Sequence, residues 1–193
     1  MRKPGAAFHG QTLRVVAPEA RPRDQHAMTE KQFTPTPDQS TAFREALGCF
    51  GTGVTVITTN TDQGPRAITV NSFASVSLDP PLVLWCLAKD SNRFDDFNTS
   101  RHYSIHVMGQ DQQEQALRFA RDGKDFSHAE WAHDPARRPQ LSGCLARFDC
   151  QVHAQHDAGD HLIIVGEVQK VMYRTGKGLI FKRGQFGGFA DLI

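Results

Sequence analysis

Beyond residue 50 the chain alternates apolar and polar positions with a period of two, and short stretches at the helical period interrupt that alternation. Asp38 is placed to cap a helix carrying Ala42, Phe43, Ala46, Leu47 and Phe50 along one side. The β-branched run at 54–59 (VTVITT) predicts a strand, Gln63-Gly64-Pro65 a turn, and 67–73 the strand that pairs back as a hairpin. Residues 82–87 are almost wholly apolar, the pattern of a strand buried on both faces or lying on a subunit contact. A short helix over 91–98 follows, with Phe94 and Phe97 on one side, then a strand over 103–108 and an amphipathic helix over 112–121. Residues 122–143 read as a long loop anchored by Phe126, Trp131 and Leu141, and the last strands fall at 145–153, 161–173 and 179–182.

Strands outnumber helices, and the helices do not alternate strictly with them, which argues against a doubly wound parallel sheet. The expectation is a mostly β domain over residues 38–193, an antiparallel barrel with flanking helices. Residues 1–37 are rich in Pro, Arg, Gln and Ala and show no sustained periodicity. They read as a flexible leader in which Met28 offers an alternative start.

Composition narrows the function classes. The 193 residues suffice for one domain with a sizeable core, and thirteen Phe point to a well-filled interior. Lys+Arg 22 nearly balance Asp+Glu 21 and no long basic run stands out, so no nucleic-acid partner is expected. No run of roughly eighteen apolar residues occurs, so no membrane-spanning helix is expected. Met-Arg-Lys is followed by interrupting polar residues before any apolar segment forms, which argues against a secretory signal. Cys49, Cys86, Cys144 and Cys150 show no CxxC spacing and are too sparse for a disulfide scaffold, so a cytoplasmic chain is expected. Cys86 and Cys150 lie in apolar strand-like runs and read as buried thiols.

Several constellations invite chemistry. Gly51-Thr52-Gly53 opens like a dinucleotide fingerprint, but it lacks the third glycine and runs into a strand instead of a helix, so a bend is the better reading. Thr52 could still reach a ligand there. Lys89, Ser91 and Arg93 combine two cations and a hydroxyl at the start of a short helix, a set suited to phosphate, or to an ordinary solvated helix start. His153, His156 and His161 with Asp157 and Asp160 suggest metal ligands at first glance. On one strand-turn-strand segment, however, the histidines alternate faces and lack zinc-site spacing, so no metal is expected. No G-x-S-x-G elbow exists, and no carboxylate pair stands out as acid and base. Residues 69–84 (TVNSFASVSLDPPLVL) instead alternate small hydroxyls and an amide with packing groups, as suits a surface that holds a flat polar ligand.

The stretch Thr52-Gly53-Val54-Thr55-Val56-Ile57-Thr58-Thr59 and the run 69–84 resemble the short-chain flavin reductases, which feed reduced flavin to two-component monooxygenases. Downstream, Phe119-Ala120, Leu141-Ser142-Gly143-Cys144, Gly159-Asp160-His161 and Gly166-Glu167-Val168 follow in the family's order, so the resemblance spans about residues 40–189. It implies an FMN-binding split β-barrel of Greek-key antiparallel type, a homodimer, and FMN or FAD bound at the barrel edge near the subunit contact. NADH or NADPH would bind over the flavin and pass hydride to it, and a flavin-dependent monooxygenase would receive the reduced product. Carried onto this sequence, Thr52, Thr69, Asn71, Ser72 and Phe73 would border the isoalloxazine and ribityl chain. Ser75, Ser77, Lys89, Ser91 and Arg93 would hold the ribityl or phosphate end, and His161 would contact the nicotinamide side. Two departures stand out: Gly51 replaces a proline common in the family, and Phe186 replaces a tyrosine. The alternatives are a flavin- or haem-binding split barrel without nicotinamide turnover, and a flavoenzyme that reduces an organic substrate directly.

Overall fold

The computed structural model describes residues 30–189. Most of the expected leader, residues 1–29, lies outside them. By packing, the chain separates into a segment ending at Pro35 and a unit starting at Thr36, which contains every helix and strand named below.

After a 3₁₀ turn at Pro37–Gln39, helix α1 spans Ser40–Leu47. The helix starts later than expected: Asp38 lies in the 3₁₀ turn and no side chain caps α1. The strands then run β1 (Thr52–Gly53), β2 (Thr55–Thr61), β3 (Gly64–Val70), β4 (Ala74–Leu78) and β5 (Pro81–Ala88). Helix α2 (Phe94–Asn98), strand β6 (His102–Val107) and helix α3 (Gln113–Arg121) follow. The chain finishes with β7 (Trp131–His133), β8 (Pro139–Leu141), β9 (Ala146–Ala158), β10 (His161–Tyr173), β11 (Leu179–Lys182) and β12 (Gln185–Gly188).

Seven strands form an antiparallel sheet in the order β3-β2-β6-β9-β10-β5-β4. β1, β11 and β12 make a small second sheet, and β7 pairs with β8. The larger sheet has two open edges in its hydrogen bonding, so the barrel is split and not closed. Alternation along β2 explains how one sheet serves two cores. Ile57 joins a cluster with Ile68, Trp85, Phe97, Tyr103, Ile105 and Ile164, whereas Val54 and Val56 join another with Met108, Phe119, Phe126, Leu141 and Leu179. Trp85 meets Phe97 and Tyr103 edge-on, with centroids 5.5 and 5.9 Å away, a favoured aromatic geometry. Cys150 is buried as expected, and burial pushes its thiol up to about 12. Cys86 is only half-buried.

β9 and β10 extend for thirteen residues each and turn at Gly159-Asp160, where Gly159 takes the left-handed conformation (φ 69°) that the tight turn needs. Their length brings His161 opposite Ala88 at the end of β5. The β1–β11 pairing, Thr52 with Phe181, carries the second small sheet to the residues that precede β2. These two pairings assemble the site.

Candidate functional site

A cavity of about 1160 Å³ opens between one end of the larger sheet and a wall made by α1 and the β11–β12 turn. Such a volume holds a ligand larger than one drug-sized molecule. The larger sheet presents Asn71, Ser72, Cys86, His161 and Ile163. The facing side presents Arg44, Leu47, Phe50, Lys182 and Arg183, with Thr52 and Phe181 paired on the small sheet.

Four residues singled out from the sequence thus share one cavity: Thr52, Asn71, Ser72 and His161. Ser72 is held in place by β5, since its Oγ accepts the Cys86 N–H at 2.9 Å and donates to the Cys86 carbonyl at 3.4 Å. That clasp fixes the link between β3 and β4 and with it the neighbouring Asn71. Thr52 carries a buried Oγ1 with no hydrogen-bond partner. A buried hydroxyl left without a partner costs about 1–3 kcal/mol, so rotation of the Thr52 side chain toward the cavity would let a polar ligand atom supply the missing partner. His161 sits at the rim, its Nδ1 2.7 Å from the Asp160 carboxylate, which fixes the ring and draws the Asp160 carboxyl below the usual range.

The other predicted residues lie elsewhere. Thr69 donates its hydroxyl to the Ala116 carbonyl of α3 at 2.7 Å. Phe73 stacks on Phe148 with centroids 5.5 Å apart, packed against the first core cluster. Ser75 and Ser77 lie on β4 at the sheet edge. Lys89 pairs with Asp157 at 2.5 Å, and its N–H donates to the Asp160 carbonyl at 2.9 Å, which places it next to the His161 rim. Ser91 accepts the Arg93 N–H, and the Arg93 guanidinium donates to the Ala120 carbonyl. Arg93 is held below its ordinary pKa mainly by partial burial, against the pull of Asp122 and Asp96. His153 and His156 are exposed on β9, and among the described residues no three potential ligands gather for a metal.

Sequence reasoning missed the facing wall. The signal for it is the apolar side of α1 together with Phe181 and Lys182, but it is the fold that brings residues 41–50 and 181–184 together, with the Arg183 N–H donating to the Gly48 carbonyl. The two departures find their places here as well. A Cβ at Gly51 would meet only side-chain atoms at ordinary distance, so a bulkier residue fits there. Phe186 packs its ring on Phe181 at 5.1 Å instead of offering a hydroxyl.

The donor set suits a flavin. A partnerless hydroxyl and an exposed amide can meet the polar edge of a flat ring system, apolar groups from Ile163, Phe181, Leu47 and Phe50 can flank its faces, and Arg44 and Lys182 offer cations for a phosphate. No hydroxyl or thiol lining the cavity is hydrogen-bonded to His161 or Glu45, and among the described lining residues Glu45 is the single carboxylate.

The flavin reductase like domain matches residues 47–190. The FMN reductase (NADH) SmoA of Agrobacterium fabrum is 50% identical over 161 residues, covering 83% of this chain and 92% of the relative. The flavin-dependent monooxygenase reductase subunit HsaB of Rhodococcus jostii is 40% identical over 148 residues, 76% of each chain. Among solved structures, the NADH:FAD oxidoreductase SgcE6 of Streptomyces globisporus C-1027, in complex with NAD and FAD fragments, superposes with a TM-score of 0.76 at 33% identity, covering 82% of this chain and 98% of that one. With three-quarters of its length inside the family domain and a relative at half identity, the chain belongs to the flavin reductase-like family.

Proposed function

We propose that the protein is an NAD(P)H-dependent flavin reductase that works as a homodimer and hands reduced FMN or FAD to a partner monooxygenase. The single observation that carries this reading is the cavity, whose apolar walls and separate polar groups suit holding and orienting a flat ligand, with no hydroxyl or thiol paired to His161 or Glu45. Hydride transfer between nicotinamide and flavin is the chemistry of the two bound groups themselves, so binding, orientation and electrostatics are what a protein must add. Thr52 and Asn71 would satisfy polar atoms of the flavin ring, with Ser72 fixing the backbone behind them. Arg44 and Lys182 supply positive charge for the flavin phosphate. His161, oriented by Asp160, faces the side from which a nicotinamide would enter. Lys89 would serve a phosphate group by exchanging its Asp157 partner for it, with Ser91 and Arg93 beyond.

Anaerobic mixing of the protein with FMN and NADH should bleach the flavin absorbance, and crossing FMN and FAD with NADH and NADPH ranks the four pairs. Absence of bleaching with every pair overturns the assignment. Asn71→Ala should weaken flavin binding about tenfold, the worth of one good polar contact, while His161→Ala should act chiefly on the KM for nicotinamide. Unchanged nicotinamide kinetics in the second variant would remove His161 from that role.

A further inference from the structure

Helix α1 forms part of a cavity wall, yet it buries none of its own side chains. Phe43, Leu47 and, just past the helix end, Phe50 are 44%, 58% and 77% exposed although they fall along its apolar side. An amphipathic helix owes most of its stability to burial of that stripe, and eight residues are too few to hold a helix alone in water. Something else must fix α1 in place.

The contacts that do so converge on Arg183, in the β11–β12 turn. Its N–H donates to the Gly48 carbonyl at 3.1 Å, and its guanidinium Nη2 donates to the Cys49 Sγ at 3.1 Å. The Cys49 thiol in turn reaches the Glu45 carbonyl, one turn back in the helix, at 3.7 Å. Arg183 adopts a left-handed backbone (φ 49°), a conformation that costs a non-glycine residue about 1 kcal/mol or more, and Gly184 beside it is left-handed too (φ 77°). Gly48, Lys182, Arg183 and Gly184 all border the same cavity, so the turn and the helix end close it together.

We propose that Arg183 is a positioning residue that latches α1 over the cavity and so holds Leu47 and Phe50 against the bound flavin and nicotinamide. The proposal rests on the reading of the cavity as the flavin site. Arg183 acts through the helix and not on the reacting atoms. Loss of the latch therefore removes binding that is equal in the ground and transition states, which raises KM and leaves kcat in place.

Two variants separate the guanidinium from the backbone. Arg183→Gly keeps the left-handed turn and the bond to Gly48 but deletes the fork, whereas Arg183→Ala deletes the fork and keeps the strain. In the ligand-free protein, hydrogen exchange at the α1 amides should quicken about tenfold in both, less in Arg183→Lys, and also in Cys49→Ala, which removes the acceptor. In turnover assays both Arg183 variants should raise the KM for flavin about five- to tenfold with kcat within about twofold of the parent. Unchanged α1 exchange in Arg183→Gly and Cys49→Ala overturns the latch. So does faster exchange accompanied by an unchanged KM, since α1 would then not be a wall of the working site. If the parent protein itself neither binds nor turns over flavin, the functional reading falls, while the exchange data still decide whether Arg183 holds the helix.

Discussion

His106 shows how a single buried residue can set the acid limit of the fold. Its ring is fully buried on β6, with Nδ1 3.0 Å from the Val56 carbonyl and Nε2 accepting the Leu141 N–H at 3.0 Å. One nitrogen must donate and the other accept, so the neutral imidazole is the form that fits. Burial pushes its pKa down to about 4, opposed by the Val56 hydrogen bond and reinforced by Arg147. A group whose folded pKa is depressed is protonated first in the unfolded chain. Its contribution is therefore intact above about pH 6.5 and is lost as the pH falls toward 4, amounting to about 3 kcal/mol across that window. His106→Gln keeps a donor and an acceptor without the titration. It should flatten the fall in urea-unfolding stability between pH 6.5 and 4, and an undiminished slope would clear His106 of the effect. None of this was visible in the sequence, where His106 is one polar position in an alternating strand. The cavity residues Thr52, Asn71, Ser72 and His161 were legible because they sit in motifs, whereas Arg44 and Arg183 have ordinary neighbours and acquire meaning only from the fold.

At the scale of elements, β7 and β8 escape sequence reading because each is only three residues long, too short for an alternation to show. Trp131 and Leu141 anchor them to the second core, and hydrogen bonds fasten β8 further: the Thr58 hydroxyl donates to the Pro139 carbonyl and the Leu141 N–H to His106. Gln140 on β8 donates to the buried Asp149 of β9 at 3.0 Å. Asp149 also receives Ser104 from β6 at 2.7 Å and Arg147 at 3.1 Å. One carboxylate therefore joins three strands. Asp149→Ala leaves three donors without an acceptor and should cost about 3 kcal/mol by chemical denaturation; a loss below about 1 kcal/mol would show that the network is dispensable. The sequence pattern ends this strand at residue 153 because residues 154–158 are mostly polar, yet pairing with β10 carries them as strand regardless. The sequence presents β4 as part of a ligand-holding surface, and β12 carries no strand signal because half of its four residues are glycine. By contrast, β2 and β5 are clear because β-branched or apolar runs point to the same structure, whereas β3 is shifted: Gly64 and Pro65 lie inside it, the turn falls at Asp62-Gln63, and the strand ends at Val70 instead of running over 67–73.

For the whole molecule, the two edges of the seven-stranded sheet are treated differently. At β3 the edge is covered: the Ala67 N–H donates to the Gly123 carbonyl at 2.8 Å, and Thr69 bonds the Ala116 carbonyl of α3. At β4 no strand or helix among the described residues covers the edge, and Leu78 and Val76 are 91% and 48% exposed along it. An uncovered edge strand with apolar side chains is a ready surface for another chain, and proteins that remain monomeric usually blunt such an edge with charge. β4 carries none: its five residues are Ala, Ser, Val, Ser and Leu. A second copy of the chain is the occupant that the homodimer proposed above requires. Covering Leu78 alone would contribute about 2 kcal/mol per subunit by area removed from water. Sedimentation velocity at micromolar concentration should therefore show the parent protein at twice the chain mass. Leu78→Lys, which replaces that burial with a charge, should weaken association tenfold or more while leaving the circular dichroism of the folded subunit unchanged. A parent protein that sediments as a single chain argues against the dimer; a Leu78→Lys protein that associates as tightly as the parent moves the contact away from β4, and the exposed side of α1 becomes the surface to probe next.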